Sequence, residues 1–223
     1  MKEKYFTLEN IKNESEILLS QLKNYKGRNK FSFCPQRSAL LILDMQNFFL
    51  DNTSHAYIPS SEAIIPNIKL LANLYTNAGL PVIFTRHINT NDDAGLMKSW
   101  WRDIIQKDNT MSKISSELLS PDAYIINKTQ YDAFYKTSLE KYLTENKITQ
   151  LVVTGVMAHL CCETTVRSAF VRGFEIFFPV DATATYNLEF HRSTFTNLSH
   201  GFIVPVMVKD LKENMENPKV ASV

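Results

Sequence analysis

Six short apolar runs recur along this chain, at residues 39–43, 81–84, 123–126, 151–153, 174–180 and 202–208, and no longer apolar run separates them. A run of this length that is apolar at nearly every position suits a strand covered on both faces, because a half-exposed strand would alternate. Segments of helical period lie between the runs. Residues 61–78 place Ile64, Ile65, Ile68, Leu71, Ala72 and Leu74 on one broad face and stop at Gly79; residues 137–146 and 159–172 behave alike, the second stopping at Gly173. Strands alternating with helices predict an α/β fold, a three-layer Rossmann-like arrangement in which a six-stranded, mostly parallel sheet is flanked by helices.

The 223 residues suffice for one such domain with one large core. Residues 1–36 read differently. Leu8, Ile11, Ile17, Leu18, Leu19 and Leu22 recur at roughly helical spacing, Gly27 stops the pattern, and residues 26–30 form a basic connector. We therefore expect an N-terminal helical arm over 1–36 and one larger domain over 37–223. The arm is too short to be stable alone, so its apolar stripe must be buried on the parent domain or on a neighbouring subunit.

Charge narrows the function classes. Lys plus Arg number 24 and Asp plus Glu 23, a net charge of +1, which supplies no field for nucleic acid or an anionic membrane. The opening MKEKYFTLENIKNE is too charged for a signal peptide, and no apolar run reaches the roughly 20 residues of a membrane span, so a cytoplasmic location is expected. Of three cysteines, Cys161 and Cys162 are adjacent, which predicts free thiols rather than a disulfide framework. The six glycines form neither G-x-G-x-x-G nor G-x-x-x-x-G-K, so no phosphate-cradling loop and no nucleotide cofactor is expected. His55, His87, His159, His191 and His200 make no D-x-H, H-x-H or H-x-x-x-H pattern, and no metal is expected either.

Ligands of an open α/β sheet sit beyond the carboxyl ends of its strands. Three reactive side chains fall there: Asp44 at the end of LLILDMQNFF, Lys128 within YIINKTQYDAF, and a cysteine in the turn VMAHLCCETT after Gly155. An acid, an amine and a thiol on one rim can make an activated nucleophile. Taken singly, such an Asp is as readily a helix cap and such a Lys a solvated charge; their shared rim is what argues for chemistry. Cys162 lies on the apolar stripe of Val166, Ala169 and Phe170 and reads as a small core residue, whereas Cys161 is turned about 100° from it. Cys161 is therefore the reactive candidate, with a thiolate favoured by the helix N-terminus and by Lys128.

These segments, with TGVMAHLCCETTVRSAFVRGFEIFFPVDATATY, resemble the isochorismatase-like cysteine hydrolases, a group that includes nicotinamidases and carbamoyl-amide hydrolases. The resemblance runs over about residues 36–208. It implies a catalytic triad of Asp44, Lys128 and Cys161, a cis peptide between Val156 and Met157, and an oxyanion held by the backbone N–H groups of Met157 and Cys161. It also implies a dimer or tetramer. The pair Ala158–His159 resembles the isochorismate-cleaving branch, whose members generally carry glycine at the nucleophile position, while this chain keeps cysteine.

For the substrate, Gln46, Phe49, Arg86, His87, Trp100, Tyr131 and His159 are the candidate contacts; Phe48, Trp101, Phe134 and Arg102 are further candidates for the wall or for an acid group. The reaction expected is hydrolysis of a C–N bond in a small amide, imide or ureido compound through a thioester. Two alternatives stand beside it: vinyl-ether hydrolysis with Asp44 as general acid, and non-catalytic binding of a small molecule.

Overall fold

A computed structural model describes residues 1–25, 31–119 and 123–217. The expected stop at Gly27, the basic connector at 26–30 and the last six residues of the 37–223 domain lie outside the described residues. In chain order the regular elements are α1 (Ile11–Gln21), β1 (Ser38–Leu43), α2 (Asn47–Leu50), α3 (Ser61–Asn77), β2 (Val82–His87), α4 (Met97–Trp100), β3 (Tyr124–Lys128), α5 (Leu139–Glu145), β4 (Gln150–Val156), α6 (Glu163–Val171), β5 (Glu175–Pro179), β6 (Thr183–Ala184), α7 (Leu188–Gly201), β7 (Ile203–Val206) and α8 (Val208–Glu216).

The strand path is β3-β2-β1-β4-β5-β7, every pair is parallel, and the two-residue β6 joins β4 at its carboxyl end. The six expected strands are this path. β6 escapes sequence reading because two residues carry no period. Both faces of the sheet are buried, which is why the central strand is apolar throughout: Leu40 and Ile42 enter one core with Ile64, Ile68 and Leu71 of α3, while Ala39, Leu41 and Leu43 enter the other with Leu139, Val166 and Phe195. At roughly 25 cal/mol per Å² of apolar surface removed from water, this two-sided burial is the main favourable term for the fold.

The N-terminal segment buries part of its stripe on its own chain. Ile11, Leu18 and Leu22 are buried, as is Phe6 ahead of them, whereas Leu8, which precedes α1, and Ile17 are exposed; the backbone N–H groups of Tyr5 and Phe6 both donate to Ser60 Oγ, and the Tyr5 hydroxyl accepts from Thr185 N. Among the described residues no helix is long and apolar enough to cross a membrane.

The chain diverges on either side of the β1–β4 pair, with β2 and β3 built outward on one side and β5 and β7 on the other. This opens a crevice above the carboxyl ends of β1 and β4. Gly155 sets how closely those strands approach. Its φ is +105°, and a Cβ there would lie 2.1 Å from the carbonyl oxygen of Leu43, so only glycine fits.

Candidate active site

Each reactive residue stands where a strand ends. Asp44 follows β1 and adopts φ 50°, a left-handed conformation uncommon for a non-glycine residue, which turns its carboxylate into the crevice. Thr85 of β2 holds that conformation from both sides: its hydroxyl donates to Asp44 Oδ1 at 2.6 Å and accepts from Asp44 N at 3.1 Å. Lys128 ends β3, two strands from β1. With neighbouring strands about 4.8 Å apart, the two backbones stand roughly 10 Å apart, a gap closed jointly by the four-carbon lysine stem, the Asp44 side chain and the ion pair between them. The Nζ arrives 2.7 Å from Asp44 Oδ2 and 3.4 Å from Cys161 Sγ.

Cys161 sits in a π-helical turn, Ala158–Cys162, that leads into α6, and the Val156–Met157 peptide before it is cis. The stripe argument for the cysteine pair agrees with the packing: Cys162 lies in the core with Val166 and Ala169, while Cys161 is only 4% exposed but lines the crevice.

Electrostatics assign the protons. Burial pulls the Asp44 carboxyl upward, but the Lys128 ammonium outweighs it and keeps the carboxyl below its usual range. Burial also works against the Lys128 charge, which Asp44 and Cys161 restore, so the amine is held above its ordinary value. The expected low thiol pKa is corrected here. Burial and the Asp44 carboxylate push the Cys161 thiol well up, and Lys128 offsets only part of this; burial raises Cys162 as well. The helix-end argument failed because it took Cys161 to be at a solvated first turn, and a thiolate in a closed site loses its hydration. The resting site is thus a carboxylate, an ammonium and a thiol. Asp44 Oδ2 faces Lys128 off the hydrogen-bonding directions and is unsatisfied, while Oδ1 is taken by Thr85, so Oδ2 is the oxygen free to receive a proton.

The crevice opens into a cavity of about 760 Å³, counting its mouth. Phe48, Phe49, Trp101, Tyr131 and Tyr186 supply aromatic walls, with Met157 and Ile105 between them. His87 and Asn89 are polar groups of the wall, and Arg102 lines it together with the His55–Asp103 pair, whose side chains meet at 2.8 Å.

Of the expected contacts, Phe49, His87, Tyr131, Met157 and Cys161 line this cavity. Four others do not. Arg86 sits between Thr85 and His87 on β2, so the two-residue alternation of a strand sends it to the opposite face, where it donates to the carbonyls of Ser112 and Lys107. Trp100 is 78% exposed, and its neighbour Trp101 takes the wall instead, donating from Nε1 to the Tyr131 hydroxyl at 2.7 Å. Gln46 is buried as a clamp: it accepts from His87 N at 2.7 Å and donates to His87 O at 3.0 Å and Ser112 O at 2.9 Å. His159 stacks on Phe190 with centroids 4.4 Å apart and bonds Thr185 Oγ1, outside the cavity lining. Phe134 packs on the far side of the sheet near Phe174. Sequence reasoning missed Thr85, Asn89 and Tyr186. Thr85 and Asn89 carry a detectable signal, since with His87 they occupy alternate positions at and beyond the end of β2.

No group of three or more His, Cys, Asp or Glu side chains among the described residues is arranged to hold a metal ion.

Residues 38–210 match the isochorismatase domain. Nicotinamidase 3 of Arabidopsis thaliana is 37% identical over 184 residues, which is 80% of this chain and 88% of the relative. The isochorismatase of Bacillus subtilis is 31% identical over 195 residues, covering 85% of this chain and 62% of the relative. In fold, the chain is similar to a cysteine hydrolase from Pseudomonas syringae pv. phaseolicola, with a TM-score of 0.81 at 24% identity over 84% of this chain and 96% of that one.

Proposed function

This chain belongs to the isochorismatase family of hydrolases, and we propose that it cleaves the C–N bond of a small amide, imide or ureido compound through a thioester on Cys161. The observation that carries this reading is the placement of Lys128 Nζ between Asp44 at 2.7 Å and Cys161 at 3.4 Å, behind a cavity that Cys161 lines. A site that needed only a general acid would have no use for a thiol in reach of an ammonium.

In this reading the Cys161 proton passes to Asp44 Oδ2, and the sulfur attacks the substrate carbonyl. Backbone N–H groups of Met157 and Cys161 hold the oxyanion, and preorganised donors of this kind are typically the largest catalytic term. The tetrahedral adduct collapses, the C–N bond breaks, and Asp44 returns the proton to the leaving nitrogen. Water then gives a proton to Asp44 and its hydroxide to the thioester; the C–S bond breaks, and Cys161 recovers the proton as the acid departs. Lys128 stays an ammonium throughout, opposite whichever of Asp44 and Cys161 is negative. The apolar, aromatic walls favour a planar or apolar acyl group over an extended polar one.

The test is release of ammonia and acid over a panel of primary amides, carbamoyl compounds and cyclic imides, with isochorismate beside them. Cys161→Ala should abolish amide turnover. Vinyl-ether turnover that survives Cys161→Ala, with no amide cleaved by the wild type, would replace this reading with the Asp44-only one.

A further inference from the structure

Lys128 Nζ has four acceptors within reach and, as an ammonium, only three hydrogens to give. The acceptors are Asp44 Oδ2 at 2.7 Å, Gln130 O at 2.9 Å, His87 Nδ1 at 3.3 Å and Cys161 Sγ at 3.4 Å. Two of them, Asp44 and Cys161, exchange a negative charge in the reaction. The other two do not.

The surroundings fix which form of His87 faces the amine. Asn89 Nδ2 donates to Asp93 Oδ1 at 3.1 Å and to Thr129 O at 3.0 Å, so both amide hydrogens are used and its Oδ1 is left against His87 Nε2 at 2.8 Å. An amide oxygen only accepts; Nε2 therefore carries the ring hydrogen, and Nδ1 presents a lone pair to Lys128. The backbone of His87 is clamped on both its N–H and its carbonyl by Gln46.

We propose that His87 is a positioning residue, a neutral pivot that, with the Gln130 carbonyl, anchors the Lys128 ammonium so that its third hydrogen stays on the Cys161 sulfur while the negative charge moves there from Asp44. The proposal rests on the Asp44–Lys128–Cys161 reading above. In the resting site the third N–H is directed at Cys161 Sγ, and Asp44 Oδ2 at 2.7 Å is held by charge, off the hydrogen-bonding directions. When the Cys161 S–H bond breaks, the proton joins Asp44 Oδ2 and the bonding pair stays on sulfur, so the negative charge moves to Sγ. Lys128 keeps all three N–H bonds and their partners. Two anchors of constant charge hold Nζ still for that exchange, which an anchor with a charge of its own would bias. The charged groups facing His87 are Lys128 from β3, Asp44 from beyond β1, and Asp93 through Asn89. Burial and the ammonium dominate, and they keep the ring neutral down to about 4.

Two measurements that need no substrate test this, so their failure is distinct from a failure to find a cleaved amide. In the first, enzyme with nitrogen-15-labelled histidine is read by NMR from about pH 5 to 8, with the His87 signals identified by their loss in His87→Gln. Only the Nε2–H tautomer is expected. An Nδ1–H ring or an imidazolium in that range would overturn the proposal. The second is the rate of Cys161 alkylation by iodoacetamide near pH 7.5, read by mass mapping. Without the pivot Nζ settles on Asp44 and leaves the sulfur, so His87→Leu should react about tenfold more slowly, the equivalent of one pKa unit. His87→Gln, whose amide oxygen accepts in place of Nδ1, should recover most of that loss. A Leu variant at the wild-type rate, or a Gln variant as slow as Leu, would refute the pivot; if the Leu variant does not fold, the tautomer and the Gln variant decide.

Discussion

Gly155→Ala is the substitution whose effect follows most directly from the geometry of this fold. The added Cβ would fall 2.1 Å from Leu43 O and 2.9 Å from Leu43 N, against an ordinary contact of at least 3.4 Å. Both atoms are backbone of β1, paired with β4 from Ser38↔Gln150 to Leu43↔Gly155, so relief requires the two central strands to part by more than 1 Å. Forcing alanine to φ +105° costs about 1–3 kcal/mol, and the overpacking adds about 3 kcal/mol or more. A total near 5 kcal/mol is comparable with the whole stability of a typical domain and corresponds to a drop in Tm of about 10–20 °C for a chain of this size. Gly79→Ala is the control, because φ there is +67° and nothing lies within 4 Å, which leaves only about 1 kcal/mol of backbone strain. Differential scanning calorimetry of the three proteins reads the difference. Asp44 directly follows Leu43, and Cys161 follows the turn after Gly155, so any soluble Gly155→Ala enzyme should also have lost turnover. A Tm within about 3 °C of wild type, or of Gly79→Ala, would show that the β1–β4 contact does not demand glycine.

Thr85→Val, nearly isosteric, strips Asp44 of both hydrogen bonds at 2.6 and 3.1 Å; kcat should fall about tenfold with KM little changed, Thr85→Ser should restore it, and equal losses for Val and Ser would discard the orienting role. Trp101→Ala should raise KM several-fold while Trp100→Ala leaves it alone, because only Trp101 is in the cavity wall; the reverse order would misplace the pocket. Asp181 is buried with its Oδ1 accepting from Val208 N at 2.9 Å, and burial pushes its carboxyl up to about 6 from 3.8. A carboxyl raised in the folded state favours the fold below 3.8 and loses that contribution as pH rises through about 6. Asp181→Asn, which keeps the acceptor, should therefore stabilise the protein by about 2–3 kcal/mol near pH 7.5, with the gain in Tm over wild type shrinking toward pH 4; a gain independent of pH would mean that the carboxyl is not raised.

Much of this protein is legible in its sequence alone. Buried strands must be apolar on both faces and helices on one, so the runs at 39–43, 151–153 and 174–180 announced a covered parallel sheet, and the parallel order then put Asp44, Lys128 and the turn after Gly155 on one rim. The choice between Cys161 and Cys162 was also local, since adjacent helical residues differ by about 100° in direction. What tertiary structure decided was every property that depends on a neighbour distant in the chain. Arg86 and His87, or Trp100 and Trp101, are equally suited to a binding site as residue types. Only the pleat of β2 in its place, and the packing of the loop after it, sends one of each pair into the cavity. The state of the Cys161 proton was beyond sequence reading for the same reason: a helix N-terminus favours a thiolate where water remains, but here burial and the Asp44 carboxylate, 117 residues away in sequence, outweigh it. Local pattern is set by period and reach along the chain, whereas charge and orientation at the site are set by solvent exclusion and by through-space fields, which exist only once the strands have come together.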